Sequence, residues 1–244
     1  EQLNKGIEFF SPKYKTQKYL AYFQSYTNTY KDVETLKKLY LEALSVDGVI
    51  GLVIATRPDC IDDQILSMIK DICKDKYVSI EFGAESTKDS TLNYINRGHS
   101  WQQTIDAVEL TNRYGMNSGL HIILGLPCET ENDFYTHARL ISKLPIKILK
   151  IHQMQVLKGT QLESVYNNKP EIFFDLNLNN YKRIITSFLE LLNPEIVIER
   201  FTSESPKHLL IYPDWKGKKN FEISHIVAAE MRKHNLIQGI NFKK

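Results

Sequence analysis

The stretch that decides the fold is residues 116–128, which read Met-Asn-Ser-Gly-Leu-His-Ile-Ile-Leu-Gly-Leu-Pro-Cys. Ser118 to Leu124 is an almost unbroken apolar run with one polar residue, His121. A tight Gly-Leu-Pro turn ends the run, and a helical pattern begins just after it. This order is typical of a buried strand in a parallel sheet, whose carboxyl end is where ligands lie. His121 is therefore either a site residue or a core histidine with a satisfied hydrogen bond.

Strand and helix patterns alternate along the rest of the chain. The predicted strands cover residues 19–24, 48–55, 77–83, 118–124, 146–156 and 196–199, with amphipathic helices between them. Right-handed crossovers make such a sheet parallel, so we predict an α/β fold built as an open or closed (β/α) barrel. No glycine-rich dinucleotide or phosphate loop is present, which disfavours a doubly wound sheet. Because the pattern changes after Arg200, we predict a barrel over residues 1–200 and a C-terminal extension over 201–244.

Composition excludes several classes of protein. The 244 residues carry a formal net charge of +2, which gives no global electrostatic case for nucleic-acid or membrane binding. Cys60, Cys73 and Cys128 are far apart and form no CxxC or CxxxCxxC motif, so we expect a cytoplasmic protein without disulfides. No apolar run approaches the roughly twenty residues of a membrane span. The chain begins without methionine, so we expect a processed protein or a fragment of a longer one.

Polar residues stand at the carboxyl ends of the predicted strands, where a barrel places its ligands. They are Gln24–Asn28, Thr56–Asp59, Glu81 with Glu85, His121, and His152 with Gln155. The sequence therefore predicts a site at the barrel mouth. A metal shared by the two histidines is disfavoured, because no carboxylate stands at a supporting spacing.

Two carboxylates at the end of the third predicted strand and one arginine are the sharpest candidates. Glu81 either accepts hydrogen bonds from a ligand or forms an ion pair with Arg97 or Arg57, since a buried carboxylate needs a partner. Glu85 lies just past the predicted strand, which favours ligand binding. Arg97 precedes a glycine and could present its planar guanidinium to a carboxylate ligand.

Three motifs together resemble the radical S-adenosylmethionine (radical SAM) superfamily. They are Glu-Phe-Gly-Ala-Glu-Ser at residues 81–86, Asn-Arg-Gly-His at 96–99 and Ile-Leu-Gly-Leu-Pro-Cys-Glu-Thr at 123–130. The YhcC-type branch is the most similar, near the elongator-type and oxygen-independent coproporphyrinogen oxidase branches. The resemblance spans nearly the whole chain and implies a partial (β/α)6 TIM-like barrel that lacks its first strand.

The resemblance also implies the chemistry and the cofactors. These are S-adenosylmethionine and a [4Fe-4S] cluster, which cleaves S-adenosylmethionine to a 5′-deoxyadenosyl radical that abstracts hydrogen from a substrate, an oxidoreductase-type reaction. The substrate stays open between an RNA and a small metabolite, and a flavodoxin or ferredoxin would donate electrons. No membrane partner is expected.

Residue by residue, the resemblance assigns a cofactor-binding set. For the methionine half, Gln24, Ser25 and Tyr26 match the loop at the amino group, and Arg97 matches the arginine that binds the carboxylate. Glu85 replaces a glutamine that is common at the ribose or methionine end, and His121 replaces an aspartate that binds the ribose hydroxyls. Val156 and Leu157 would lie by the adenine, and Thr27 and Glu81 complete the set.

The cysteine loop of the family belongs before the equivalent of residue 1. This chain is therefore expected to lack the cluster ligands and to be inactive by itself, as a fragment of a longer enzyme. Two alternatives remain at the level of sequence. One is a cluster-free barrel that binds a nucleotide or a partner protein. The other is a conventional barrel hydrolase or lyase that works through Glu81, Glu85 and His121.

Overall fold

The computed structural model describes residues 1–13 and 17–243. Its strands are β1 (Tyr19–Phe23), β2 (Val49–Thr56), β3 (Tyr77–Glu85), β4 (Asn117–Leu124), β5 (Ile148–Gln153), β6 (Val156–Leu157), β7 (Val197–Arg200) and β8 (Leu210–Tyr212). Its helices are α1 (Gln2–Phe10), α2 (Val33–Leu44), α3 (Asp63–Ile72), α4 (Asp89–Tyr94), α5 (Trp101–Arg113), α6 (Glu131–Ile141), α7 (Gln161–Asn168), α8 (Leu178–Leu191) and α9 (Asn220–Lys233).

Six strands form one sheet in the order β1-β2-β3-β4-β5-β7. The pairs β1 with β2, β2 with β3, and β5 with β7 are parallel. The predicted alternation of strands and helices is thus confirmed. The strands β6 and β8 form a separate antiparallel ribbon.

Helix starts follow local capping chemistry. The carboxylate of Asp32 accepts a hydrogen bond from the backbone N–H of Thr35, which begins α2. Asp62 does the same for α3, as its position in the sequence predicts. At the start of α6, Thr130 and Asp133 form a capping box, which satisfies two backbone donors at once. Each of these signals lies within four residues, so the sequence alone can reveal it.

The predicted strand at residues 146–156 is wrong in its extent. β5 ends at Gln153, and the backbone N–H of Met154 then donates to the carbonyl of Leu124 at 2.8 Å. Val156 and Leu157 pair instead with β8. The sequence reasoning missed the helix α7, although Leu162, Val165 and Tyr166 stand at helical spacing; none of its residues is fully buried. The strand β3 is longer than predicted: it ends at Glu85, two residues after the predicted end at residue 83.

The chain divides into two compact units. Unit 1 comprises Glu1–Gly83 with Gln102–Gly119, and unit 2 comprises Ala84–Trp101 with Leu120–Lys244. In unit 1, α2 packs against β2 and α3. In unit 2, α8 packs against α6 and α9, with Tyr181, Ile184 and Phe188 of α8 fully buried. The division at residue 200 that the sequence suggests stays a prediction.

Among the described residues, no helix combines the length and the hydropathy that crossing a membrane would require.

Candidate functional site

The carboxyl end of β3 in unit 2 holds a strained acidic residue and its arginine partner. Glu85 ends β3 with a φ of 62°, a left-handed conformation that non-glycine residues rarely adopt. Arg97 Nη2 lies 3.2 Å from Glu85 Oε1, and the two side chains are 24% and 20% exposed. The sequence suggested that a carboxylate of this strand forms an ion pair with Arg97, and in the structure Glu85 is that carboxylate. The other candidate arginine, Arg57, binds Asp59 through Nε at 2.8 Å.

The electrostatics at Glu85 leave its carboxylate incompletely compensated. Burial raises the pKa of Glu85, and Arg97 and His121 act in the opposite direction without cancelling the effect of burial. A carboxyl group in this state gains from a further positive charge or hydrogen-bond donor, because either stabilises the ionised form. The site therefore suits a ligand that brings an ammonium group or hydroxyl groups to Glu85.

Two histidines lie on neighbouring strands of unit 2. The rings of His121 in β4 and His152 in β5 stack with centroids 5.6 Å apart and an angle of 29° between their planes. Burial, followed by His121, Arg200 and Lys150, lowers the pKa of His152 to about 3. His152 is therefore neutral at neutral pH. Its Nε2 atom is buried and has no hydrogen-bond partner in the part of the chain that the structure describes.

A buried polar cluster fixes the chain immediately after Glu85. The hydroxyl of Ser86 donates to Glu129 Oε1 at 2.6 Å, and Thr87 Oγ1 lies 2.7 Å from His137 Nδ1. His137 Nε2 lies 3.3 Å from the same Glu129 oxygen, with both side chains almost fully buried. This cluster ties the end of β3 to the start of α6. Sequence reasoning missed it, although Glu129 stands within the Gly-Leu-Pro-Cys-Glu-Thr motif.

The predicted adenine residues lie in the ribbon of unit 2. Val156 is fully buried and Leu157 is half-buried. Two glutamines that precede them bind the chain after β7. The side chain of Gln153 donates to the carbonyl of Ser203 at 3.0 Å, and the hydroxyl of Ser205 donates to Gln155 at 2.7 Å. These bonds hold the segment that leads into β8. Gln155 thus serves this segment, whereas the sequence grouped it with the polar strand ends.

The remaining predicted residues belong to unit 1. Gln24, Ser25, Tyr26 and Thr27 form the loop after β1, in which Tyr26 has a φ of 63° and is 98% exposed. Glu81 is 1% exposed and accepts a hydrogen bond from the hydroxyl of Tyr22 at 2.8 Å. One glutamate of the predicted pair thus lies in each unit.

Asn28 anchors the loop after β1 in unit 1. Its side-chain amide donates to the carbonyls of Phe23 at 3.0 Å and Ala55 at 2.8 Å, and its own carbonyl accepts from Tyr40 at 2.7 Å. The loop base is therefore fixed while Tyr26 points into solvent. The sequence indicated a turn rich in hydroxyl and amide groups, but these partners lie up to 27 residues away.

The described residues contain no metal centre. Nowhere in residues 1–13 and 17–243 do three or more histidine, cysteine or acidic side chains come together as metal ligands. Cys73 is buried, Cys60 is half-buried and Cys128 is exposed. Among the described residues, no third histidine, cysteine or acidic side chain joins His121 and His152 to form such a group.

Comparison with known families gives two matches that together cover most of the chain. The model described as Radical SAM superfamily matches residues 1–141. The model described as Radical_SAM C-terminal domain matches residues 146–233.

Three relatives carry names without a stated activity. The protein YtqA of Bacillus subtilis is 32% identical over 95% of this chain and 71% of its own length. A protein of Methanocaldococcus jannaschii is 34% identical over 99% of this chain and 74% of its own length. The protein YhcC of Escherichia coli is 27% identical over 82% of this chain and 65% of its own length.

Solved structures support the fold class. The Elp3 protein of Methanocaldococcus infernus, with an N-terminal deletion, gives a TM-score of 0.79 at 18% identity. That match covers 95% of this chain and 58% of Elp3. The Streptococcus suis protein SuiB gives a TM-score of 0.53 at 14% identity, over 78% of this chain and 40% of SuiB. The predicted α/β fold class, a partial (β/α)6 barrel, is confirmed.

Proposed function

Because the chain belongs to the radical SAM superfamily, we propose that unit 2 binds S-adenosylmethionine through side chains of β3, β4 and the loop that carries Arg97. The 27% identity to YhcC is consistent with the branch suggested by the sequence motifs. The observation that carries the proposal is the Arg97–Glu85 pair at 3.2 Å, placed at the carboxyl end of β3.

The charges of this pair complement the methionine half of the cofactor. S-adenosylmethionine carries a carboxylate, an ammonium group and a sulfonium centre. Arg97 offers a planar guanidinium that matches a carboxylate in a bidentate manner. Glu85, whose pKa is raised by burial, gains from an ammonium group or from ribose hydroxyls. The residues present therefore fit the cofactor, since each charged group of the protein would meet its opposite.

His121 has a positioning role in this proposal. It acts electrostatically on Glu85 and stacks on His152, so its ring orientation is constrained from the side of β5. A constrained imidazole can hydrogen-bond a ribose hydroxyl without a large entropic cost. Gln24, Ser25, Tyr26, Thr27 and Glu81 in unit 1, and Val156 and Leu157 in the ribbon, stay predictions of the sequence.

The bound cofactor would supply a 5′-deoxyadenosyl radical for hydrogen abstraction from a substrate. The [4Fe-4S] cluster on which this depends finds no fitting ligand set among residues 1–13 and 17–243. Arg97 and Glu85 would bind and orient S-adenosylmethionine and would take no part in electron transfer. A flavodoxin or ferredoxin as electron donor, and an RNA or small metabolite as substrate, belong to the proposal for the whole enzyme.

Binding of two ligands to the purified chain tests the proposal. Isothermal titration is done with S-adenosylmethionine and with 5′-methylthioadenosine, which lacks the methionine carboxylate and ammonium groups. Loss of a hydrogen bond between charged groups costs about 1.5–3 kcal/mol, so Arg97→Ala should weaken S-adenosylmethionine binding about 10- to 150-fold. The affinity for 5′-methylthioadenosine should stay unchanged.

The matched control is Arg139→Ala, which removes an exposed arginine in the last turn of α6 in the same unit. This variant should bind both ligands like the unaltered chain. The proposed role of Arg97 would be wrong if its variant bound S-adenosylmethionine normally or lost affinity for both ligands equally. Absence of any S-adenosylmethionine binding by the chain would overturn the proposed function itself.

A further inference from the structure

Two basic residues face each other across β5 and β7, which is an unfavourable arrangement for the fold alone. Lys150 pairs in register with Arg200, whereas the preceding pair joins Leu149 to Ile198. Glu199 is therefore an extra residue, and the strand bulges opposite Lys150. Like charges on neighbouring strands repel each other, and bulges often re-aim a side chain beside a functional site. A role in binding would explain why both charges stand here.

The two cations differ in how they are compensated. Lys150 is 1% exposed and its Nζ lies 3.1 Å from Glu199 Oε1. Arg200 is half-buried and makes no ion pair within residues 1–13 and 17–243. Its acidic neighbour Glu204 already binds Lys219 at 2.6 Å and the backbone N–H of Asn220 at 3.1 Å. Lys219, Asn220 and, more weakly, Arg200 lower the pKa of Glu204, but no ion pair among the described residues engages the guanidinium of Arg200, which can therefore still bind a ligand.

His152 completes the cluster. It lies two residues after Lys150 on the same strand and therefore on the same face. Lys150 and Arg200 both contribute to the low pKa of His152, after burial and His121, so they lie close to its ring. The buried Nε2 atom has no partner among the described residues. A buried polar atom in this state calls for a water molecule or a ligand.

We propose that Arg200 and His152 form an oxyanion-binding subsite in unit 2 that takes a carboxylate or phosphate group of the substrate. Arg200 supplies the charge and a bidentate pair of donors, and the Nε2–H tautomer of His152 donates one further hydrogen bond. Lys150 adds positive charge from a buried position. Lys150 is 1% exposed and the Nε2 atom of His152 is buried, which favours a small anionic metabolite over an RNA backbone.

The subsite is distinct from the proposed cofactor site. In the proposed cofactor site, Arg97 binds the methionine carboxylate and His121 of β4 lies at the ribose. Arg200 lies on β7, which is two strands from β4 in the order β4-β5-β7. The anion site follows from β5 and β7 alone. The identification of the bound anion as part of a substrate rests on the proposed function.

The test titrates the purified chain with inorganic phosphate and, separately, with succinate. Histidine-selective NMR follows the ring of His152, which is assigned with the variant His152→Gln. Saturable binding of at least one of the two anions should raise the pKa of His152 from about 3, because a negative charge favours the protonated ring. Arg200→Gln should weaken that binding at least tenfold. Arg232→Gln, an exposed arginine in the last turn of α9, should leave it unchanged.

Three results would overturn the subsite. They are shifts that do not saturate with either anion, normal anion binding by Arg200→Gln, and competition between the anion and S-adenosylmethionine. If Arg200→Gln fails to fold, Arg200→Lys provides the same test, since it keeps the charge but loses the bidentate donors. The anion titrations need no cofactor, so a failure of S-adenosylmethionine binding would count against the proposed function and leave this result standing.

Discussion

Protonation of His152 should destabilise the folded protein as the pH falls. In the unfolded chain this histidine has its ordinary pKa of 6.5, and in the fold burial and three neighbouring basic groups lower its pKa to about 3. Between these values the unfolded state binds more protons than the folded state. Neutral His152 therefore makes its full contribution to the free energy of unfolding above pH 6.5. This contribution falls as the pH drops below 6.5 and stops changing below pH 3.

The magnitude follows from the two pKa values. At pH 5 the unfolded imidazole is protonated while the folded one is not, which favours unfolding by about 2 kcal/mol relative to pH 7, since one pKa unit corresponds to roughly 1.4 kcal/mol. A loss of this size is a substantial part of the roughly 5–15 kcal/mol by which a typical domain is stable.

The assay is urea unfolding at pH 7 and pH 5, followed by circular dichroism, for the unaltered chain and for His152→Gln. Carboxylates also titrate in this range, but they contribute equally to both proteins. Between pH 7 and pH 5, the free energy of unfolding of the variant should therefore fall by about 2 kcal/mol less than that of the unaltered chain. His208→Gln, in which an exposed histidine is replaced, should behave like the unaltered chain. Identical pH dependence of His152→Gln and the unaltered chain would refute the reasoning.

Two further predictions concern the residues that support the site. Ser86→Ala removes the donor to the buried carboxylate of Glu129 and should lower the free energy of unfolding by about 1–3 kcal/mol, measured by urea titration. Ser164→Ala, at an exposed hydroxyl, should cost far less. Gly125→Ala places a Cβ atom 2.6 Å from Leu176 Cδ1 at a φ of +90°, so it should destabilise the fold more than Gly159→Ala, where the φ is +79° but nothing lies within 4 Å. Equal losses of unfolding free energy in the two glycine variants would show that the contact with Leu176 is unimportant.

Much of the fold could be predicted because its signals are local. The run from Ser118 to Leu124 specified β4 to within one residue, since a short apolar run that ends in a Gly-Leu-Pro turn is typical of a buried parallel strand. The cap at Asp62 marked the start of α3, because a cap acts over three residues; Asp32 caps α2 in the same way, and sequence reasoning missed it. The helix α7 escaped prediction because it has only 8 residues, so its apolar positions Leu162, Val165 and Tyr166 make a weak periodic signal.

The sequence also identified the family and named Glu85 and Arg97 as candidate site residues. Their separation of twelve residues is spanned by one loop and a short helix, so a local motif could carry the information. It could not specify that Arg97 binds Glu85 in the structure. That depends on the left-handed turn at Glu85 and on the buried bond between Ser86 and Glu129, whose partners are 43 residues apart.

The tertiary structure alone decided the arrangement of basic groups around His152. Lys150 and Arg200 are fifty residues apart, and only the register of β5 against β7, shifted by the bulge at Glu199, places them opposite each other. Strand pairing also decided the position of Val156, which is not part of β5 and pairs with β8 instead. Composition and periodicity determine which segments become strands and helices, because those preferences are summed over neighbouring residues. Register and burial determine which side chains meet, because they arise from contacts between segments that no local pattern encodes.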